Sequence, residues 1–282
     1  MIRWLRDPVL EPGVTALVAL AAVVYLGGAR RLRRRSSGRL VLPSWRVGAF
    51  VGGLVVVLEA VASPLDDAAT TSLTAHMIQH LLLLVVAPVL LVLGSPARPF
   101  LTALGPSIPL RRLRWTRGIW RELTRPLPVF LLYAASLLAW HVPGPYDAAV
   151  HHQALHALEH LTFLGTAVLL WMVLLRERPQ VPAGMAIGLA MATWVVTASL
   201  GALLTFAGAP LYPVYAHATS AWGLSPLRDQ RMAGLIMWAP TGLAYIAAAG
   251  WRLLRLLAEP DAEGTPPARR TAGTLAGTKG GA

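Results

Sequence analysis

A series of apolar runs, too long and too free of charge to fold into a water-soluble core, constrains this chain more than any other feature. Residues 81–93 and 161–175 contain no charged side chain at all. With the residues leading into them, each reaches the ~20 positions that a helix needs to cross about 30 Å of hydrocarbon. A spanning segment must satisfy its own amides and carbonyls, so runs of this kind imply helices. Reading the whole chain in this way gives seven spans, at about 14–28, 47–62, 73–94, 127–141, 155–175, 183–207 and 232–251. A composition of 55% hydrophobic and 13% charged residues, with mean hydropathy +0.56, agrees. The expected fold class is therefore all-α, a polytopic membrane helical bundle over residues 1–257. A tail at 258–282, rich in Gly, Pro, Thr and Ala, is expected to be disordered.

The formal charge of +12 does not point to nucleic acid. Its basic residues sit in short runs between apolar segments, as topology signals and contact with anionic membrane lipid require. Alternate loops carry 21 and 4 of the Lys and Arg residues, which places the N-terminus outside and the C-terminus in the cytoplasm. Residues 1–13 lack a small-residue cleavage pattern, so the first span reads as an anchor. Arg30–Arg35 reads as a solvated basic loop. Between Ser95 and Arg125, Arg111, Arg112, Arg114, Arg117 and Arg121 alternate with Leu113, Trp115, Ile119 and Trp120, as in a segment lying along the interface. Pro88 cannot donate to the carbonyl of Leu84, so a kink is expected there. The chain has no cysteine, which excludes disulfides and thiolate ligands.

Two of the spans open with paired histidines. His76 and His80 are four apart and so share one helical face; His156 and His160 repeat the arrangement eighty residues later. Asp67 and Asp147 each stand nine positions before the first histidine of their pair, giving a shared pattern D-x8-H-x2-Q/E-H. A single pair reads as ordinary packing, whereas duplication at matched positions favours metal ligands. On the assigned topology all eight histidines fall at the outer face, His141, His151, His152 and His217 among them. Glu59, Asp66, Asp67, Asp147 and Glu159 are expected at the same face, where carboxylates can orient imidazoles. Met77, Met232 and Met237 lie on or towards the outer half, and a thioether such as that of Met77 favours Cu(I). Neutral imidazoles suit Cu, Zn, Ni or Fe, and without thiolates the site suits exchangeable capture. A parallel internal repeat relating spans two and three to spans four and five would bring His76, His80, His156 and His160 together near a pseudo-twofold axis.

Five ordered motifs carry a resemblance: H-M-I-Q-H-L-L-L-L-V-V-A-P-V-L-L-V-L-G-S-P at 76–96, W-H-V-P-G-P-Y-D-A-A-V at 140–150, L-H-A-L-E-H-L-T-F at 155–163, P-L-Y-P-V-Y at 210–215 and D-Q-R-M-A-G-L-I-M-W at 229–238. Over about residues 47–255 the chain resembles the CtaG family, bacterial membrane proteins needed to assemble caa-type cytochrome c oxidase. The resemblance implies a non-enzymatic assembly factor of the bacterial cytoplasmic membrane, associated with copper supply and with oxidase subunits as partners. It implies metal-site roles for His76, His80, His141, His156 and His160, supported by Asp147, Glu159 and Asp229. Two other classes stay open on the residues alone. One is a b-type haem or quinone redox protein with histidines as axial ligands. The other is an intramembrane zinc peptidase using the H-x-x-E-H of 156–160 with Glu159 as base, although Gln79 in the parallel motif could not serve as one.

Overall fold

The computed structural model describes residues 12–35, 42–105, 118, 122, 124–176 and 181–258. The Arg/Trp-rich residues expected along the interface and the tail from residue 259 lie outside the described residues. Ten helices order the described chain: α1 Pro12–Arg35, α2 Ser44–Val61, α3 Pro64–Ala69, α4 Leu73–Leu93, α5 Ala97–Leu104, α6 Pro126–Trp140, α7 Pro143–His151, α8 Gln153–Leu175, α9 Ala183–Phe206 and α10 Pro226–Ala258. Six of them are long and apolar enough to cross a membrane, and α6 with α7 makes a seventh span if the bent pair counts as one. The protein is an all-α polytopic bundle.

Two expectations are corrected in detail. Arg30–Arg35 is not a loop, because α1 continues through Arg35. Straight-chain Arg is a good helix former and a cation suits the C-terminal end of a helix dipole; Arg31 also donates to the carbonyl of Ala103 at 2.9 Å. The fourth span ends at Trp140, where the Pro and Gly of residues 141–147 are expected to break the helix. Pro143 forces Val142 into extended geometry (φ −67°, ψ 133°), so the chain breaks after Trp140 and resumes at 75° as α7. The seventh span starts at Pro226, which takes Asp229 and Gln230 out of the expected loop and into the first turns of α10.

Pro88 lies just beyond an irregular turn. Residues Leu82–Val86 form a π turn in which the Ala87 amide reaches back to the carbonyl of Leu82, and residues 73–93 form a single span. The carbonyl of Leu84, which Pro88 cannot serve, instead accepts from the indole Nε1 of Trp171 on α8 at 2.9 Å. A proline in a membrane helix is tolerated when a neighbour re-satisfies the freed group, and here that neighbour also locks the two histidine-bearing helices together. Trp171→Phe keeps the stacking on Tyr245 (centroids 5.3 Å apart) but leaves the carbonyl bare. The expected cost is about 1–3 kcal/mol, seen as a lower melting temperature in detergent; an unchanged melt would remove the bond from the account.

The main core lies between α4, α6, α8, α9 and α10. α9 and α10 approach closely where Gly201 and Gly234 face each other: a Cβ on Gly234 would lie 2.6 Å from the carbonyl oxygen of Gly201. Small residues permit that approach, as is common between membrane helices. A second cluster joins α1, α2 and α5 through stacked Tyr25 and Phe50, with Phe100 at their edge. Tyr25 donates to the carbonyl of Gly94 at 2.8 Å, tying α1 to the end of α4. Large side chains such as Leu17, Phe206 and Leu243 are exposed around the outside, where hydrocarbon would cover them.

Candidate metal centre

The site forms where the start of α4 meets the start of α8. Ser63 caps α3 by accepting from the Leu65 amide, and the chain then turns at Thr70 and Thr71 into α4. Ser72 caps α4 by accepting from the Ala75 amide. Asp229, fully buried on α10, completes that cap: its Oδ2 accepts from the Leu73 amide at 2.7 Å, and its Oδ1 from the Thr74 amide at 3.1 Å and the Ser72 hydroxyl at 3.0 Å. A carboxylate at a helix N-terminus offsets the positive end of the dipole and serves amides that have no intrahelical acceptor. The first turn of the His76 helix is thereby fixed to the last span.

One turn on, His76 and His80 project towards His156, Glu159 and His160 of α8. One ligand atom from each of His76, His80, Glu159 and His160 lies within 4.8 Å of the others, and all four residues are buried. Glu159 Oε1 is 3.4 Å from His80 Nε2, and Oε2 is 3.7 Å from His76 Nε2. These separations exceed good hydrogen bonds. They match two ligands of one ion instead, since metal–ligand bonds near 2.0–2.1 Å in tetrahedral geometry set ligand atoms about 3.3 Å apart. A second group, Asp66, His156 and His160, meets the same distance test and shares His160 with the first. It is less enclosed, the Asp66 and His156 side chains being 33% and 13% exposed.

The tautomers follow from the neighbours. His76 Nδ1 is 3.0 Å from the hydroxyl of Tyr215, which donates its one proton to the carbonyl of Ala69 at 2.7 Å. Nδ1 must therefore carry the hydrogen of that pair, which leaves a lone pair on the Nε2 facing Glu159. Tyr146, 3.2 Å from Tyr215, donates in turn to its oxygen. Burial pushes the Tyr215 and Tyr212 phenols up from the usual tyrosine range, so both keep their protons. His141, in the break after α6, donates from Nδ1 to the carbonyl of Leu137 at 2.8 Å, and its own carbonyl accepts from Tyr212 at 2.9 Å. Its ring centroid lies 5.6 Å from that of His80. Fixing one ring nitrogen by a backbone or hydroxyl bond so that the other is free to ligate is the usual outer shell of a metal-bound histidine.

What remains is a concentration of buried atoms that no side chain or backbone group satisfies: His76 Nε2, both nitrogens of His80, His141 Nε2, His156 Nε2, His160 Nε2 and both oxygens of Glu159. Native interiors leave few such atoms, and a cluster of them calls for a ligand or ion. Three imidazoles and a carboxylate suit divalent first-row ions, with affinity highest at Cu(II).

The other expected residues are placed as follows. Glu59 is exposed near the end of α2, and it is its carbonyl that accepts from Ser63. Asp67 is exposed on α3, where its backbone carbonyl accepts from Thr70; the acid turned towards the centre is Asp66, which accepts from Gln79 Nε2 at 2.6 Å. Counting nine residues back from a histidine fails because α3 and α4 are separate helices with a turn between them. Asp147 accepts from the backbone of Val214, and its predecessor Tyr146 is the residue against His76, with ring centroids 5.0 Å apart. Met77, one step round α4, packs into the apolar core. His151, His152 and His217 are exposed. Sequence reasoning missed Tyr146, Tyr212 and Tyr215, whose signal was their place in the P-Y-D and P-L-Y-P-V-Y motifs; Glu159, expected beside the histidines, brings a carboxylate oxygen to the same point as their nitrogens.

Comparison with known proteins bears on what this arrangement serves. The chain is 27% identical over 255 residues to an uncharacterized protein of Mycobacterium leprae (strain TN), covering 86% of this chain and 38% of that protein. It is 27% identical over 248 residues to uncharacterized proteins of Mycobacterium bovis and Mycobacterium tuberculosis, covering 83% of this chain and 37% of each. The chain thus spans less than two fifths of the length of the curated relatives it matches. No solved structure matches it significantly. Residues 23–259 match the family of the cytochrome c oxidase caa3 assembly factor (Caa3_CtaG), so the histidine-bearing helices, the α6–α7 break and the Asp229 cap all fall within the match, and the chain belongs to that family.

Proposed function

We propose that the protein carries copper for cytochrome c oxidase at the outer face of the bacterial cytoplasmic membrane, holding the ion between His76, His80, Glu159 and His160. The observation that carries this reading is the convergence of buried, unsatisfied nitrogen and oxygen atoms from two helices on one point. Asp66 and His156, more open and sharing His160 with the buried set, would take up the ion first and pass it inward by exchange of ligands. His141 stands beside His80 as a further donor. Nothing in this reading makes or breaks a covalent bond, so the protein is a carrier and not an enzyme. Its partners are the oxidase subunits that receive the metal.

The peptidase alternative needs His156 and His160 as ligands with Glu159 outside the set. The larger, wholly buried donor group includes Glu159 and draws two histidines from the other helix, which favours binding over hydrolysis. Elemental analysis and an optical spectrum on detergent-purified protein, wild type beside His76→Ala/His80→Ala/His156→Ala/His160→Ala, test the reading. Copper near one per chain in the wild type, lost in the variant, is the expected result. A stoichiometric haem band, or no metal in either protein, would overturn it.

A further inference from the structure

At the opposite, arginine-rich end of the bundle lies a second built feature, independent of the histidines. A cavity of about 1020 Å³ opens between α2, α5, the end of α8 and the end of α10, and among the described residues its lining includes Arg46, Arg98, Arg176 and Arg255 but no Asp or Glu. The four guanidinium groups come from four separate elements, so no single basic run accounts for them. Arg46 donates to Ser95 Oγ at 2.9 Å, Arg176 to the carbonyl of Val92 at 3.3 Å, and Arg255 lies 4.7 Å over the ring of Trp251. Arg46 keeps a buried Nε with no hydrogen-bond partner.

Directly beside this basin runs an apolar groove of about 390 Å³, lined by Val85, Val86, Leu90, Trp171 and the small residues Ala244, Ala247 and Ala248. Val89, Leu175 and Trp251 line both, so the two hollows are continuous. The groove exists because α10 presents alanines where larger side chains would close it against α4. A cationic basin that opens into an apolar trough complements an amphiphile with an anionic head. By the distribution of Lys and Arg, this end faces the cytoplasm, where anionic lipid meets basic pockets between helices.

We propose that this cavity and groove form a binding site for one anionic phospholipid of the inner leaflet, its phosphate among Arg46, Arg98, Arg176 and Arg255 and an acyl chain along Ala244, Ala247 and Ala248. Guanidinium groups recognise phosphate through paired N–H donors, and four of them set zwitterionic lipid at a disadvantage. The bound lipid would brace α2, α5, α8 and α10 at the end of the bundle remote from the metal centre.

Native mass spectrometry of the full-length protein in detergent, offered equal phosphatidylglycerol and phosphatidylcholine, tests this. Wild type should retain one phosphatidylglycerol per chain in at least tenfold preference. Arg98→Ala/Arg255→Ala, both exposed positions, should lose that preference. Ala247→Leu, which leaves every arginine in place and fills the groove from an exposed position, should reduce retention several-fold without lowering the melting temperature. Equal retention of the two lipids, or retention unchanged in both variants, overturns the proposal. So does displacement of the lipid by soluble glycerol phosphate at equal concentration, which would mark a plain anion site. Loss of bound lipid on formation of dimers would assign the groove to a second copy of the chain and overturn it equally.

Discussion

Replacing Glu159 by leucine should make the metal-free protein more stable while abolishing its stabilisation by metal. Glu159 is fully buried, its two oxygens accept no hydrogen bond, and its nearest polar neighbours are imidazole nitrogens 3.4 and 3.7 Å away. A buried carboxylate in that state is a net cost to the fold, and an apolar side chain of similar volume should return about 1–4 kcal/mol. Affinity should fall by about 100-fold or more, at least the loss seen when outer-shell partners of metal ligands are removed. In wild type, copper at 100 times its dissociation constant should raise stability by about 2.7 kcal/mol. The measurement is a thermal melt of wild type, Glu159→Leu and Glu159→Gln with and without copper. If the metal-free Glu159→Leu protein melts lower than wild type, the carboxylate is a structural element and the functional account of its burial fails. Gln keeps the shape without the charge, so it should fall between the other two in metal response.

Asp229→Ala should be among the most damaging single substitutions in the protein, although the residue lies outside the group of converging ligand atoms. It strands the Leu73 and Thr74 amides and the Ser72 hydroxyl, all buried or partly buried. Each lost acceptor costs about 1–3 kcal/mol, so a total of at least about 3 kcal/mol is expected. Because His76 stands one turn beyond this cap, loosening it should also lower metal affinity by about 10- to 100-fold, as outer-shell substitutions do. Asp229→Asn retains one acceptor oxygen and should be milder on both counts. Melting temperature and copper titration on the same samples separate the two effects. A variant that melts lower yet binds copper as tightly as wild type would show that the cap stabilises the bundle without positioning the histidines.

Most of the bundle could be read from the chain because a bilayer imposes length and apolarity on each span, and both are visible residue by residue. The helix pairs His76/His80 and His156/His160 were legible for the same reason, since spacing within one helix fixes a shared face. Glu159 belongs to that face by spacing too, but its role depends on what approaches from α4, which no local pattern contains. The failures cluster where the chain changes direction. Asp67 looked equivalent to Asp147, yet α3 ends before α4 begins, and Asp66 is the one turned to the centre. Tyr215 sits in a short turn between α9 and α10, and only the folding of that segment back over α3 brings its hydroxyl to His76 and to the carbonyl of Ala69. Asp229 was placed in a loop because polar residues beside an apolar run look like its boundary; burial on α10 with three donors from α4 is a tertiary fact.

The π turn in α4 bears on direction of travel. A turn that closes over one additional residue rotates everything beyond it by about 100° relative to a regular helix. A polar stripe that began at His76 and His80 therefore does not continue down the same flank. In its place Leu83, Leu84, Val85 and Ala87 are buried immediately below the histidines, with Trp171 bonded across at the level of Leu84. Hydrocarbon side chains border the centre from beneath, and Asp66 and His156 are its more exposed members. Under the proposed function, an ion held there would leave on the side of Asp66 and His156, so its recipient would dock at the face that does the loading.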